Sequence, residues 1–316
     1  MRRKVYILAA SVLLLALAAA CKEKVGPQPF PMLKVPGMVS QGDDFVNYVV
    51  RHYWQPFFSE DRVYSRDTSL VGGVKEDSFA AAFTQYATYL MLVDPQTGLQ
   101  AQQQLLSQAE KMTERDGGKV FETVLSLCDA MLYDANSPIR NEEMYIPVEE
   151  AKIATDKVPE SERKEAAALL PRLKLNRLGT PAADFSFKRS DGKVMRLYDV
   201  KAAFTILFFS NPGCQDCKAV IEQLSSQPGM DAAIAAGKLA VVNVYPDADL
   251  EEWHKYAPLY PDNWYNGYDQ DLAVGGGLYN LRAIPSLYLL DKDKKVLYKD
   301  VDTTLLINFL QPVLAE

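Results

Sequence analysis

Asn211-Pro212-Gly213-Cys214-Gln215-Asp216-Cys217 stands between an apolar run rich in β-branched and aromatic residues, 204–209, and an apolar-periodic segment over residues 218–224. That order predicts a strand, a tight turn and a helix that carries Cys-x-x-Cys in its first turn. Two intervening residues bring both sulfurs to one helix end. There the unpaired backbone N–H groups and the helix dipole favour a thiolate over a thiol. The first cysteine can then attack a partner's disulfide, and the second can resolve the mixed disulfide. The competing reading is a static structural disulfide in a domain that only binds.

The chain has 316 residues, enough for two domains, and a net charge of −7 with no long basic run. This balance argues against a nucleic-acid partner. Its four cysteines, Cys21, Cys128, Cys214 and Cys217, are too few for a disulfide scaffold. Cys128 lies within an apolar helical stripe, where a buried free thiol is the expectation. His52 and His254 are far apart and share no ligand spacing with the cysteine pair, so no metal site is expected. No cofactor is expected either. Gly275-Gly276-Gly277 lacks the strand before it and the Lys-Ser/Thr after it that a phosphate cradle requires.

Residues 1–20 read as a signal peptide: Arg2, Arg3 and Lys4, then an apolar stretch on the short side for a membrane span. The stretch ends in Ala18-Ala19-Ala20-Cys21, which resembles a bacterial lipobox and implies lipidation of Cys21. A plain signal peptide cleaved after Ala-x-Ala is the alternative. Both place the mature protein outside the cytoplasm, where disulfides persist. The expected location is the envelope of a Gram-negative bacterium, facing the periplasm, with the membrane as a partner through the lipid. Residues 21–41, with Pro27, Pro29, Pro31 and Pro36, read as an extended tether or as a loop packed on the domain surface.

Residues 42–175 read as an all-α domain, with helical stripes over residues 45–57, 79–90, 95–113, 121–132, 148–154 and 160–173. At residues 176–181 the pattern turns strand-like. Residues 176–316 then read as an α/β domain. It starts with a hairpin (184–188 and 194–197), a strand (204–209), the Cys-x-x-Cys helix, a short helix (231–236), a strand (239–244) and a helix (249–256). An aromatic-rich loop, a short helix near Tyr279, a hairpin (286–290 and 296–298) and a closing helix (303–314) complete it. The aromatics Trp253, Tyr256, Tyr260, Trp264, Tyr265 and Tyr268 fit either a substrate groove or ordinary packing.

This order resembles the thioredoxin fold and, more narrowly, the anchored periplasmic thiol–disulfide oxidoreductases of the TlpA/ResA type. Three segments carry the likeness: Gly179-Thr180-Pro181-Ala182-Ala183-Asp184-Phe185 with Asp191-Gly192-Lys193; Asn211 through Cys217; and Leu281-Arg282-Ala283-Ile284-Pro285-Ser286-Leu287. The helices ahead of them resemble an uncharacterised region found before such domains in some Gram-negative lipoproteins. The resemblance implies that Cys214 is the exposed nucleophile, Cys217 the buried resolving thiol and Pro285 a cis-proline beside them. It also implies that Ile284 offers its backbone to an extended client segment, a strand-addition mode of recognition. Gln215 and Asp216, between the thiols, are expected to modulate the pair.

The chain also departs from that pattern. Gly213 replaces the usual Trp, Phe208 stands where thioredoxin has a buried Asp, and Val220 stands where the ResA type has a Glu. Asp216 takes the place of thioredoxin's Pro, and a negative charge so close is expected to raise the thiol pKa. A less acidic thiol makes a weaker oxidant, so the expected activity is disulfide reduction, with client proteins and an upstream electron donor as partners. The alternative is an anchored binding or assembly module using the domain as a scaffold. Peroxidase chemistry is not expected, because Leu207 and Asn211 stand where peroxiredoxins carry Pro and Thr/Ser.

Overall fold

The computed structural model describes residues 26–39, 41–59, 62, 67, 69–270 and 274–315. The signal peptide and Cys21 lie outside the described residues. Two compact units divide the chain after Leu132. Among the described residues no helix is long and apolar enough to cross a membrane.

The N-terminal unit contains helices α1 (Gly42–His52), α2 (Glu76–Leu90), α3 (Pro95–Lys111) and α4 (Lys119–Cys128). Between α1 and α2 lies a short antiparallel hairpin, β1 (Leu70–Val71) and β2 (Val74–Lys75), which helical periodicity could not signal. Phe79, Phe83, Tyr86 and Leu90 recur on one face of α2 and are all buried, as their spacing requires. The segment read as a possible tether is docked where it is described. The Gln28 N–H donates to the Gly73 carbonyl at 2.8 Å, and Phe30 packs on Trp54, Phe57 and Phe79. One aromatic side chain in that cluster is enough to hold a proline-rich strip that has no helical or strand pattern of its own.

The C-terminal unit begins at Tyr133, earlier than the change of pattern at residue 176, and so includes helices α5 (Glu142–Ala154) and α6 (Glu160–Leu173). The pattern placed the start of α5 at Val148, after Pro147. The helix instead starts at Glu142, capped by Asn141 Oδ1 accepting the Met144 N–H at 3.2 Å, with Pro147 inside. Met144, Tyr145, Ile146 and Val148 are all buried, and their packing outweighs the hydrogen bond that proline removes.

A seven-stranded mixed sheet follows, in the order β4-β3-β7-β6-β5-β8-β9. Its strands are β3 (Ser186–Arg189), β4 (Val194–Arg196), β5 (Phe204–Phe209), β6 (Leu239–Tyr245), β7 (Tyr265–Tyr268), β8 (Ser286–Asp291) and β9 (Val296–Lys299). Helices α7 (Gln215–Ser225), α8 (Met230–Ala235), α9 (Leu250–Tyr256) and α10 (Thr303–Leu314) complete the unit. β5 pairs in parallel with β6 and antiparallel with β8. Strands in this position are covered on both faces, which explains their unbroken apolar sequences. Ile206 and Phe208 pack with Val220, Leu224, Leu306 and Leu310 on one face, and Leu207 and Phe209 pack with Phe185, Tyr279 and Tyr288 on the other. β7 lies in the segment read as an aromatic loop. It is four residues long, and Asn266 and Gly267 at its centre offset the strand preference of its two tyrosines, so its sequence carries little strand signal. The helix expected near Tyr279 is a single wide turn, Val274–Leu278.

Candidate active site

β5 delivers the chain to the turn that precedes α7. Gly213 has φ 70°, a left-handed conformation that glycine adopts freely. Cys214 is the N-cap residue of α7, and its Sγ accepts the Cys217 N–H at 3.1 Å. One orphan donor of the helix is thus aimed at the sulfur that must carry negative charge. Cys214 and Cys217 form a disulfide with Cα atoms 5.2 Å apart. Cys214 is half-buried, whereas Cys217 is 1% exposed and packs with Phe208, Val220 and Leu224. A thiolate at Cys217 would therefore meet apolar side chains. Gln215 and Asp216 are exposed.

The Ile284–Pro285 peptide is cis. The Ile284 side chain packs toward both core faces, and its peptide N–H and C=O bond no other backbone group among the described residues. Pro285 and Asp216 border one groove of about 220 Å³, so the structure brings the cysteine turn and the proline loop to the same cleft. The aromatic cluster does not line that groove. Trp253 and Trp264 are buried, Trp253 stacks edge-on with Tyr268, and Trp264 joins the sheet core. Cys128 is a fully buried thiol in the N-terminal unit, and its Sγ accepts from Gln102 Nε2 at 3.2 Å.

Sequence reasoning missed the support behind the proline loop. Glu142, the first residue of α5, is 5% exposed and accepts from Asn280 and from Lys299, with Arg282 Nε at 3.6 Å. Arg282 donates to the Tyr133 carbonyl and lies 3.5 Å from Asp300, whose Oδ1 accepts the Ser286 hydroxyl at 2.7 Å. Asn280, Arg282 and Ser286 flank Ile284 and Pro285, so a carboxylate from an upstream helix anchors the cis-proline loop. In sequence Glu142 looks like an ordinary first-turn acid, and only its burial marks it.

Burial holds the Glu142 carboxyl above its ordinary value of 4.5, because desolvation outweighs the attraction of Lys299. The folded state therefore binds this proton more tightly than the unfolded chain. Glu142 contributes most to stability below the ordinary glutamate value, and that contribution is lost as pH rises through its raised value. Urea unfolding of Glu142→Gln is expected to lack this falling component, while the wild type shows it. Identical pH slopes in the two proteins would refute the assignment.

Residues 16–176 match the family described as a domain of unknown function, DUF5106. A thioredoxin-like protein from Bacteroides caccae ATCC 43185 is 35% identical, with a TM-score of 0.78, and the match covers 90% of this chain and 99% of that one. The C-terminal domain of an uncharacterized protein from Bacteroides fragilis NCTC 9343 is 44% identical over 43% of this chain and 98% of its own, with a TM-score of 0.42. A conserved protein of unknown function from Bacteroides fragilis is 34% identical over 42% of this chain and 98% of its own, with a TM-score of 0.41. None of the curated proteins matches the sequence.

Proposed function

We propose that this chain, which belongs to the thioredoxin-like proteins and carries a DUF5106 region ahead of its sheet, is a thiol–disulfide oxidoreductase that reduces client disulfides. The observation that carries the reading is the Cys214–Cys217 pair at the N-terminus of α7, with the Cys217 N–H directed at Cys214 Sγ, in a turn whose Asp216 shares a groove with Pro285. The Cys214 thiolate attacks one sulfur of a client disulfide. That S–S bond breaks, a mixed disulfide forms, and the client's departing thiolate takes a proton. Cys217, having given up its proton, attacks Cys214 Sγ. The second client thiol leaves and the Cys214–Cys217 disulfide closes. A dithiol donor returns the two electrons. The client lies along Ile284 and Pro285 and pairs with the backbone groups Ile284 leaves open.

Direction follows from the surroundings of the sulfurs. One backbone N–H reaches Cys214, and Cys217 meets an apolar core. The dithiolate form is thus weakly stabilised, which favours the disulfide at equilibrium and makes the dithiol a good reductant. We place the protein at the bacterial envelope, anchored through a lipid on Cys21 and facing the periplasm, as the lipobox-like sequence suggests. The same apolar setting of Cys217 favours a second reading, an anchored binding module with a structural disulfide.

Equilibration with glutathione buffers separates the two. A reversible couple near thioredoxin's value of about −270 mV is the expected result. A value towards about −120 mV would make the protein a disulfide donor, and no reversible couple would leave the binding module.

A further inference from the structure

Family match and packing divide the chain at different places. The DUF5106 match runs to residue 176, whereas the C-terminal compact unit begins at Tyr133. Residues 133–176 therefore belong by sequence to the region of unknown function and by packing to the sheet unit. Several of their polar contacts converge on the cis-proline loop. Glu142 Oε1 accepts from Asn280 Nδ2 at 2.5 Å and lies 3.6 Å from Arg282 Nε, and its other oxygen faces Lys299 at the end of β9. The Tyr133 carbonyl accepts from Arg282, whose guanidinium also lies over the Tyr133 ring, 4.9 Å from its centroid. On the far side of the cis peptide, the Ser286 hydroxyl donates to Asp300, which also faces Arg282. The loop is thus pinned before Ile284 and after Pro285, and the cis peptide stands between the pins.

The network is out of water. Glu142, Asn280 and Ser286 are buried, and the side chains of Arg282 and Lys299 are 8% and 9% exposed. Two cations, Arg282 and Lys299, face two carboxylates, Glu142 and Asp300. Loss of one carboxylate leaves a buried cation uncompensated, and the loop must give way to let water reach it. A loop fixed beforehand spares a binding partner the entropy of ordering it. Resting on the oxidoreductase reading above, we infer that Glu142 is a positioning residue: it holds the Ile284–Pro285 peptide where a client's backbone can pair with it. Through Glu142 and Tyr133, residues 133–176 build part of the client site, which gives that stretch of the DUF5106 region a function.

The test uses the full chain carrying Cys217→Ser, in which a single-cysteine peptide and 2-mercaptoethanol compete to form the mixed disulfide with Cys214. The small thiol has no backbone to pair, so the ratio of the two constants reads the loop. The peptide is expected to be favoured about tenfold, a difference of about 1.4 kcal/mol. A copy of the peptide methylated on the backbone nitrogens beside its cysteine should lose that advantage. Glu142→Gln should bring the ratio to within about twofold of unity, with the reduction potential of the unmodified Cys214–Cys217 pair unchanged. Ser286→Ala removes a single hydroxyl from the same network and should act in the same direction, which keeps the test open if Glu142→Gln does not fold. Glu143→Gln is the control: this neighbouring acid of α5 pairs with Arg177, outside the loop, and its loss should leave the ratio within about twofold of the parent's. No peptide advantage in the parent, an advantage that survives both Glu142→Gln and Ser286→Ala, an equal loss in Glu143→Gln, or a shift in the potential of the pair would each overturn the assignment. Exchange at Cys214 requires only an accessible sulfur. A peptide advantage that depends on Glu142, in a protein whose unmodified form reduces no insulin, would therefore remove the reductase reading and keep the loop assignment. Turnover without that advantage would do the reverse.

Discussion

Cys214→Ser is expected to bring insulin reduction by dithiothreitol down to the rate without protein, a fall of about two orders of magnitude or more. The hydroxyl that replaces the thiol does not ionise near neutral pH, so the Cys217 N–H would have no thiolate to stabilise. Cys217→Ser should behave differently. Attack by Cys214 remains possible, resolution does not, and a mixed disulfide with the client should accumulate as a higher-mass band on non-reducing electrophoresis. This expectation of separate roles rests on the half-buried setting of Cys214 and the 1% exposure of Cys217. Full activity in Cys214→Ser, or a trapped client in Cys214→Ser and not in Cys217→Ser, would reverse the assignment.

Gly229→Ala is expected to cost about 3 kcal/mol of stability, a large share of the ~5–15 kcal/mol that holds a domain together. Gly229 precedes α8 with φ 81°, where a side chain costs about 1–2 kcal/mol. A Cβ there would also overlap the carbonyl oxygen of Leu314, at the end of α10. That neighbour is backbone and cannot rotate aside, so α10 must shift, at a further ~1–3 kcal/mol. Gly192→Ala is the control. Its φ is 83°, but nothing lies within 4 Å of the added Cβ, so only the backbone cost should appear. The lowering of the urea midpoint is expected to be at least twice as large for Gly229→Ala as for Gly192→Ala. Equal shifts would show that α10 yields at no cost.

The parts of the site that the sequence reveals are those whose chemistry is local. Cys214 and Cys217 are three residues apart, and a strand-to-helix turn is enough to bring them together. Buried strands such as β5 and β6 also announce themselves, because covering both faces of a sheet leaves no position for a polar residue to alternate. β7 is different. It is a strand because β6 pairs with it on one side and β3 on the other, since in Tyr265-Asn266-Gly267-Tyr268 the central Asn and Gly cancel the preference of the tyrosines. The start of α5 before Pro147 and the docking of Phe30 on Trp54 are likewise decisions of packing.

What the sequence determined by itself is therefore the dithiol, its place at a helix N-terminus and the α/β order around it, since each depends on neighbours in the chain. Only the tertiary structure brought Glu142 to Asn280, Arg282 and Lys299, across 138 or more residues, and set Arg140 in the same groove as Asp216 and Pro285. In the sequence these residues are unremarkable charges near a helix start. The setting of Glu142 follows from burial, which removes the water that would otherwise satisfy its carboxylate.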